Sequence, residues 1–308
     1  MVGFFGKISW LFELASHFRL VYCYLFLALA ILFLLIKRPG FFLGAAAFFL
    51  LNFSQILPFY FPASPTSSAA VKVSSSANNG PKKEKNKTKK NKIRILQINV
   101  QGGMNSDFDR TIDLIDQTAP DIVGLSEITE TWKQVLDKRL KGYRYKVIQP
   151  RLGGIALYSK IPLIEPQLKY IGKIKRPRIV TQIKLADKPA LVVFAHPVIP
   201  ILHGNLRDEE LAAIAKEIRD FDDGAAILIG DLNCTPWSSR FEELLAEANL
   251  QDSERGFGIV PTWSARWSIH LFPIDHCLVT KEFRVVDRKV LSSVNSDHYP
   301  VLVDLEVR

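Results

Sequence analysis

Apolar and polar positions divide the chain into three stretches of different character. From Leu20 to Ile36 the run LVYCYLFLALAILFLLI carries no charge. After Lys37-Arg38-Pro39-Gly40, a second apolar stretch runs from Phe41 to Phe61, broken by Asn52, Ser54 and Gln55. Crossing a bilayer takes roughly 17–25 apolar residues, so both stretches predict transmembrane helices. Joined by a short turn, they predict a hairpin with both chain ends on one side. A cleaved secretory leader is the competing reading. The length of the first run, the second run directly behind it and the lack of a small-residue cleavage site between them oppose it. Residues 62–92 show no apolar periodicity. They are rich in Ser, Ala, Pro and Asn and then in Lys, which predicts a disordered linker.

From residue 93 onward the pattern alternates between period 2 and period 3.6. IRILQINV (93–100), DIVGLSE (121–127), YKVIQ (145–149), GIALYSK (154–160), RIVTQIKL (178–185), ALVVFAH (190–196) and AAILIG (225–230) read as strands. IDHCLVT (274–280), RVVDRKVL (284–291) and YPVLVDLEV (299–307) complete the set. Helical periodicity marks 108–119, 131–140, 207–221 and 238–248, the last with Ser238 as its cap. Strand-rich runs with interspersed helices, several joined as hairpins, predict an α/β (α+β) domain over 93–308, in which helices cover mixed sheets. The predicted organisation is therefore a membrane anchor (1–61), a linker (62–92) and a folded domain (93–308).

Charge refines this division. The chain is +9, but residues 62–92 hold eight Lys and one Glu, and residues 1–61 hold four basic side chains and one acidic, which leaves −1 for 93–308. The basic character belongs to the tether. A nearly neutral folded domain argues against tight backbone-driven nucleic-acid binding. The Lys run reads equally as attraction to anionic lipid head groups or as a solvated spacer. Lys7 and Arg19 before the first apolar run offset Lys37 and Arg38 after it, so the flanking charges set no orientation. Cys23, Cys234 and Cys277 match no metal-ligand spacing and read as small buried hydrophobes.

The ends of the strands carry the chemistry. Asn99 closes the first strand, Glu127 the second and His196 the ALVVFAH strand, while GDLNC places Asp231 and Asn233 after AAILIG. Asp275 sits in PID, and SDHYP brings Asp297 and His298 before the last strand. Sheet ends are where α/β folds assemble sites. Each residue alone has a structural explanation as a turn or cap; together they require a series of coincidences. Carboxylate and amide oxygens are hard ligands suited to Mg²⁺ or Mn²⁺. A further carboxylate suits water activation, and a His–Asp pair suits donation to a phosphoryl oxygen, so the set fits phosphoester hydrolysis.

QINV, LSEIT, GDLN, IDH and SDHYP, in this order over residues 93–308, resemble the endonuclease/exonuclease/phosphatase superfamily with its deoxyribonuclease-I-like fold. The resemblance implies a four-layer sandwich of two packed mixed β-sheets flanked by helices. It implies Glu127 as principal metal ligand with Asn99 and Asp297, and Asp231 as the group that orients or deprotonates water. Asn233 and His196 would contact phosphate, and His298, oriented by Asp275, would polarise it. Water would attack phosphorus in line, with no covalent intermediate. His276 stands where many members carry an aromatic residue, and alternation points it away from Asp275 into the core. FAHPVIP lacks the longer polar stretch that several members carry, so the leaving-group pocket is expected to differ. Trp263 and Arg266, in the loop before the last three strands, are candidates for substrate contact; a Trp closing the sheet edge is the alternative. Gly153-Gly154 lacks the context of a nucleotide loop and reads as close hairpin packing. His17, His203 and His270 belong to no motif and read as surface residues. The expectation is a membrane-tethered, metal-dependent phosphodiesterase or phosphatase, with the bilayer as partner through residues 20–61. A nuclease aided by the Lys tether is the second reading, and an inactive anchored binding module the third.

Overall fold

Ile93 and Ile95 of the first strand point to one side of its sheet and Leu96 and Ile98 to the other, and each pair enters a different core. The same alternation splits Ile227 and Ile229 from Ala226 and Leu228 in a later strand. Two sheets therefore pack face to face over one apolar layer, and each covers its outer face with helices. The computed structural model describes residues 6–62, 91–151, 153–171, 175–221, 224–266 and 271–308.

The first sheet has six strands in the order β11-β12-β1-β2-β4-β3. These are β1 (Lys92–Asn99), β2 (Ile122–Ser126), β3 (Tyr145–Gln149), β4 (Ile155–Ser159), β11 (Phe283–Val290) and β12 (Val301–Val307). The second runs β5-β6-β7-β8-β10-β9, with β5 (Ile164–Ile171), β6 (Arg176–Leu185), β7 (Lys188–Ala195), β8 (Ala226–Asp231), β9 (Gln251–Asp252) and β10 (Asp275–Val279). Helices α4 (Phe108–Thr118) and α5 (Glu130–Arg139) cover the first sheet; α6 (Pro200–Arg219) and α7 (Ser239–Glu247) cover the second. Each sheet has one parallel pair, β1–β2 and β7–β8, near its centre, crossed over by α4 and α6. All other pairings are antiparallel. This is the expected sandwich of mixed sheets.

Two elements depart from the sequence pattern. β5 is absent from it because its run IEPQLKYI contains Pro166, which reads against a strand; it is an edge strand with a register shift near that proline, and only Leu168 of it packs on the central core. Helix α6 starts at Pro200, seven residues before its amphipathic period begins, with the proline at its first turn.

The expected pair of membrane spans is corrected more substantially. The N-terminal region folds as α1 (Trp10–Ser16), α2 (Arg19–Leu35), α3 (Pro39–Phe53) and a short turn of 3-10 helix at Leu57–Tyr60. Helices α1 and α2 meet at a 61° bend, and no single helix among the described residues is long and apolar enough to cross a membrane. The 17 residues of α2 and 15 of α3 span about 26 and 23 Å at 1.5 Å per residue, short of the roughly 30 Å hydrocarbon layer. Lys37-Arg38-Pro39 starts α3, and Asn52, with its side chain turned back to Phe48 O at 2.8 Å, lies near its end. Part of the apolar surface is also used inward: Leu20, Cys23 and Ile56 bury against Trp237 of the sandwich. The Lys-rich linker falls almost wholly outside the described residues.

Close approach of β7 and β8 depends on Gly230. Its φ is +144°, and a Cβ there would lie 1.9 Å from Ala195 O. Gly230→Ala is therefore expected to cost about 3 kcal/mol or more of unfolding free energy, read by urea denaturation, since the obstacle is backbone that cannot step aside.

Candidate active site

Both parallel pairs end on the same edge of the sandwich. Asn99 ends β1, Glu127 follows β2, His196 follows β7 and Asp231 ends β8. The antiparallel β10 starts at this edge, where Asp275 lies opposite Asp231. Trp263 bridges to His298 just ahead of β12. The topology thus delivers residues scattered over 200 positions to one place, because C-terminal ends of parallel strands and N-terminal ends of antiparallel ones coincide.

Asp231 is at the centre and buried. Its Oδ1 accepts from Asn233 N at 3.0 Å and its Oδ2 from Asn99 Nδ2 at 3.0 Å. Two imidazoles flank the same Oδ2: His196 Nε2 at 3.5 Å and His298 Nε2 at 3.6 Å. Burial pushes this carboxyl above its ordinary range, against the pull of His298 and His196. Asp275 is also buried; its Oδ1 accepts from Gln97 Nε2 and its Oδ2 lies 2.8 Å from His298 Nδ1. Burial works against the charge of Asp275, but His298, Thr262 and Gln97 outweigh it and hold the carboxyl below its usual range. His298 responds in kind: burial opposes its protonation, yet Asp275 and Asp231 raise its pKa to about 10. The two carboxylates thus favour its imidazolium form. His196 has the opposite fate, lowered to about 4 by burial, with Arg176 and His298 adding to the effect. Arg176 Nη1 lies 3.3 Å from His196 Nδ1, while Nε2 faces Asp231. Two imidazoles shifted in opposite directions therefore face the same carboxylate.

Glu127 stands with φ +59°, a left-handed conformation that a non-glycine residue occupies at a cost and that recurs at functional sites. Backbone contacts hold it there: Gly102 N donates to Glu127 O at 3.0 Å, and Ile128 N donates to Gly154 O at 3.2 Å. Gly154 comes so near that a Cβ would lie 1.9 Å from Ile128 O, in line with close hairpin packing. The Glu127 side chain is partly open to solvent, with Asn99 Nδ2 at 3.1 Å and His196 Nε2 at 3.8 Å. Asp297 lines the same cavity, and its Oδ2 accepts from Trp263 Nε1 at 3.1 Å. Partly open, hard carboxylate oxygens on Glu127 and Asp297 fit a divalent cation of the Mg²⁺ type, whereas Asn99 turns its Nδ2 to Glu127 and its Oδ1 to Gln101 N and would offer its oxygen only with the amide turned over. Buried Asp231, Asp275 and His298 are also close enough together to share an ion, but Asp275 and His298 already engage each other and Asp231 accepts from Asn99 and Asn233.

The site residues expected from the sequence thus converge, with distinctions. Asn233, at φ +49°, commits one amide N–H to Pro197 O at 3.0 Å and lines the cavity. Trp263 both lines the cavity and holds Asp297, so it does more than close an edge. Arg266 stands at the rim, donating to Gln101 Oε1 at 2.7 Å; Gln101 N in turn donates to Asn99 Oδ1 at 3.0 Å. His276 is buried with Nε2 2.8 Å from Cys234 O, away from Asp275 as alternation requires.

His17 is not a surface residue. It is buried, with Nδ1 2.8 Å from Thr235 Oγ1, because α1 docks beside the GDLNC turn. His270 and the side chain of His203 lie outside the described residues. No motif signals the docking partners. Glu13 accepts from Ser238 Oγ at 2.6 Å and from Arg207 Nη2 at 2.9 Å, while Arg207 Nη1 reaches His17 Nε2 at 3.1 Å and Asn233 O at 3.3 Å. The signal for Arg207 is faint: a cation at the apolar start of an amphipathic helix.

A two-sheet sandwich with acidic, amide and imidazole groups at one edge defines the deoxyribonuclease-I-like class of α/β proteins. The profile of the Endonuclease/Exonuclease/phosphatase family matches residues 96–298, and the chain belongs to this family. No curated protein matches the chain. Among solved structures it is similar to D. rerio TDP2 complexed with single strand DNA product, at 14% identity and TM-score 0.59, covering 70% of this chain and 99% of that one. It is also similar to the human Nocturnin catalytic domain with bound sulfate anion (16%, TM-score 0.58, covering 71% and 96%). An endonuclease/exonuclease/phosphatase from Beutenbergia cavernae is similar at 21% identity and TM-score 0.57, covering 71% of this chain and 72% of that one. At these identities the likeness is one of fold.

Proposed function

We propose that this protein is a divalent-metal-dependent hydrolase of phosphoester bonds, a phosphodiesterase or phosphatase held at a bilayer by its N-terminal helices. The observation that carries this reading is the placement of buried Asp231 Oδ2 between His196 Nε2 and His298 Nε2, beside Glu127 and Asn99. Glu127 and Asp297, joined by Asn99 once its amide is turned over, would hold the cation, Mg²⁺ or Mn²⁺, which when bound supplies Lewis-acid stabilisation of charge on a phosphoryl oxygen. Asp231 accepts the proton of the attacking water, a task its raised pKa favours. His298, kept charged by Asp275, donates from Nε2 to a phosphoryl oxygen as negative charge grows there. Neutral His196 and Asn233 orient the remaining oxygens. An inactive binding module would have no use for this Asp231 environment.

Bilayer attachment is supported by α2 and α3, which expose Tyr24, Leu25, Ile31, Leu35, Phe41 and Leu50. Helices apolar on nearly every side need cover that water does not give. The nuclease reading is favoured by the Lys run and by a fold shared with TDP2, whose structure holds a single strand DNA product. Binding through several backbone phosphates would weaken steeply with salt.

The test uses the full chain in amphipol with bis(4-nitrophenyl) phosphate. Hydrolysis is expected with Mg²⁺ or Mn²⁺, lost in EDTA and restored by excess cation. A folded protein that releases no 4-nitrophenolate with either metal, or releases it equally in EDTA, overturns the proposal.

A further inference from the structure

The cavity that holds the candidate catalytic groups is two-sided. It measures about 450 Å³, within the range of small-molecule sites. One side carries Glu127, Asp231, Asn233, Asp297 and His298. The other carries Leu14 and Phe18 from the N-terminal helices, Ile199 and Ile201 from the start of α6, and Phe272 and Ile274 from the loop before β10.

We infer that the phosphoester taken by this site bears an apolar chain, and that Leu14 and Phe18 form one wall of the channel for it. This rests on the phosphoester reading above. The wall is built in, not draped. The α1–α2 corner is pinned by Glu13 to Ser238 and Arg207, by His17 to Thr235, and by an edge-on contact of Phe18 with Phe272 at 5.3 Å between ring centroids. The apolar side is also not core filling, since Ile199 is 49% and Ile201 62% exposed. An apolar group entering here would remove these side chains from water.

A nucleic acid fits this cavity poorly. Among the described residues that line it there is no Lys or Arg to meet the phosphates on either side of the one being cleaved, and Arg266, outside the lining, is engaged by Gln101. A nucleoside would also set its hydrogen-bonding groups against Leu14, Phe18 and Ile201 without partners. Helix α2, which follows Phe18 directly, itself exposes Tyr24 and Leu25. A chain drawn from a bilayer beneath α2 and α3 would reach the phosphoryl site along one apolar surface.

The probes are methyl, butyl and octyl 4-nitrophenyl phosphate, with thymidine 5′-(4-nitrophenyl phosphate) as the nucleoside arm. All are used below their micellar concentrations with full chain in amphipol and Mg²⁺. In each, the water oxygen bonds to phosphorus, the P–O bond to 4-nitrophenolate breaks, and the water's proton passes to Asp231. At roughly fourfold for each fully buried CH₂, the octyl ester should exceed the methyl ester at least 30-fold in kcat/KM. Phe18→Ser and, independently, the surface change Ile201→Ser should each lower the octyl-to-methyl ratio at least threefold. Partition of the octyl ester into amphipol would raise its rate without responding to either substitution. A ratio near one, or a raised ratio unchanged in both variants, overturns the inference while leaving the hydrolase standing. So does faster turnover of the thymidine ester than of the octyl ester. If no ester is hydrolysed, the function proposed above falls and this inference falls with it.

Discussion

Asp231→Asn should lower kcat/KM for bis(4-nitrophenyl) phosphate by about 10²–10⁴-fold, the range over which a positioned general base contributes. The substitution keeps the shape of the side chain and an oxygen for the Asn233 N–H, now met at 3.0 Å by Oδ1. It removes the proton acceptor that lies 3.5 Å from His196 and 3.6 Å from His298. It also places an amide N–H₂ or its oxygen against Asn99 Nδ2, so one hydrogen bond is recovered only by an amide flip. Far-ultraviolet circular dichroism and thermal unfolding should show a folded variant. The Asp231 carboxylate also helps to raise the His298 pKa, so the residual activity of the variant should fall off at a lower pH than that of wild type. Activity within tenfold of wild type would mean that the water's proton leaves by another route.

The site's acidic and imidazole groups were legible because strand geometry is local. A run such as AAILIG followed by Asp231 reports both the strand and its polar end within a few residues, and the same holds for Asn99, Glu127 and His196. What joins them is also visible: two parallel pairs imply two crossovers, and therefore strand ends on one edge. The edge strand β5 was invisible for the complementary reason, since Pro166 interrupts a short, largely exposed run whose register shifts at that point. The N-terminal region was misread through composition. Hydropathy counts apolar residues, but the bend between Ser16 and Arg19 and the docking of His17 are set by contacts with residues some 190–220 positions away. No local pattern encodes an ion pair between Glu13 and Arg207. The second wall of the cavity followed only once the chain was folded.

Arg207→Met should destabilise the protein by about 3–5 kcal/mol, because it strands a buried carboxylate. Arg207 is 1% exposed and lies 2.9 Å from Glu13 Oε2, with His17 and the Asn233 carbonyl in its reach. Burial works against the charge on Glu13, but His17, Arg207 and Ser238 outweigh it and bring its pKa to about 2. The sign follows directly. A carboxyl whose pKa falls from 4.5 unfolded to about 2 folded stabilises the docked state fully above pH 4.5, and the stabilisation is lost as pH falls through about 2. Wild type should therefore keep α1 seated through neutral and mildly acid conditions, measured by amide hydrogen exchange over residues 10–16. In Arg207→Met the same amides should exchange faster, and Trp237, packed on Leu20 and Cys23, should report added solvent contact in its fluorescence. The double variant Glu13→Gln, Arg207→Met carries the decisive contrast. With Glu13 neutral and Asp208, the other partner of Arg207, still paired to Arg240 at 3.0 Å, it should recover much of the lost stability, since apolar or neutral replacement of a whole buried pair is far less costly than breaking it. A single Arg207→Met variant within 1 kcal/mol of wild type, with unchanged exchange at α1, would show that apolar contact alone seats the N-terminal helices and that the ion pair contributes nothing to closing the cavity.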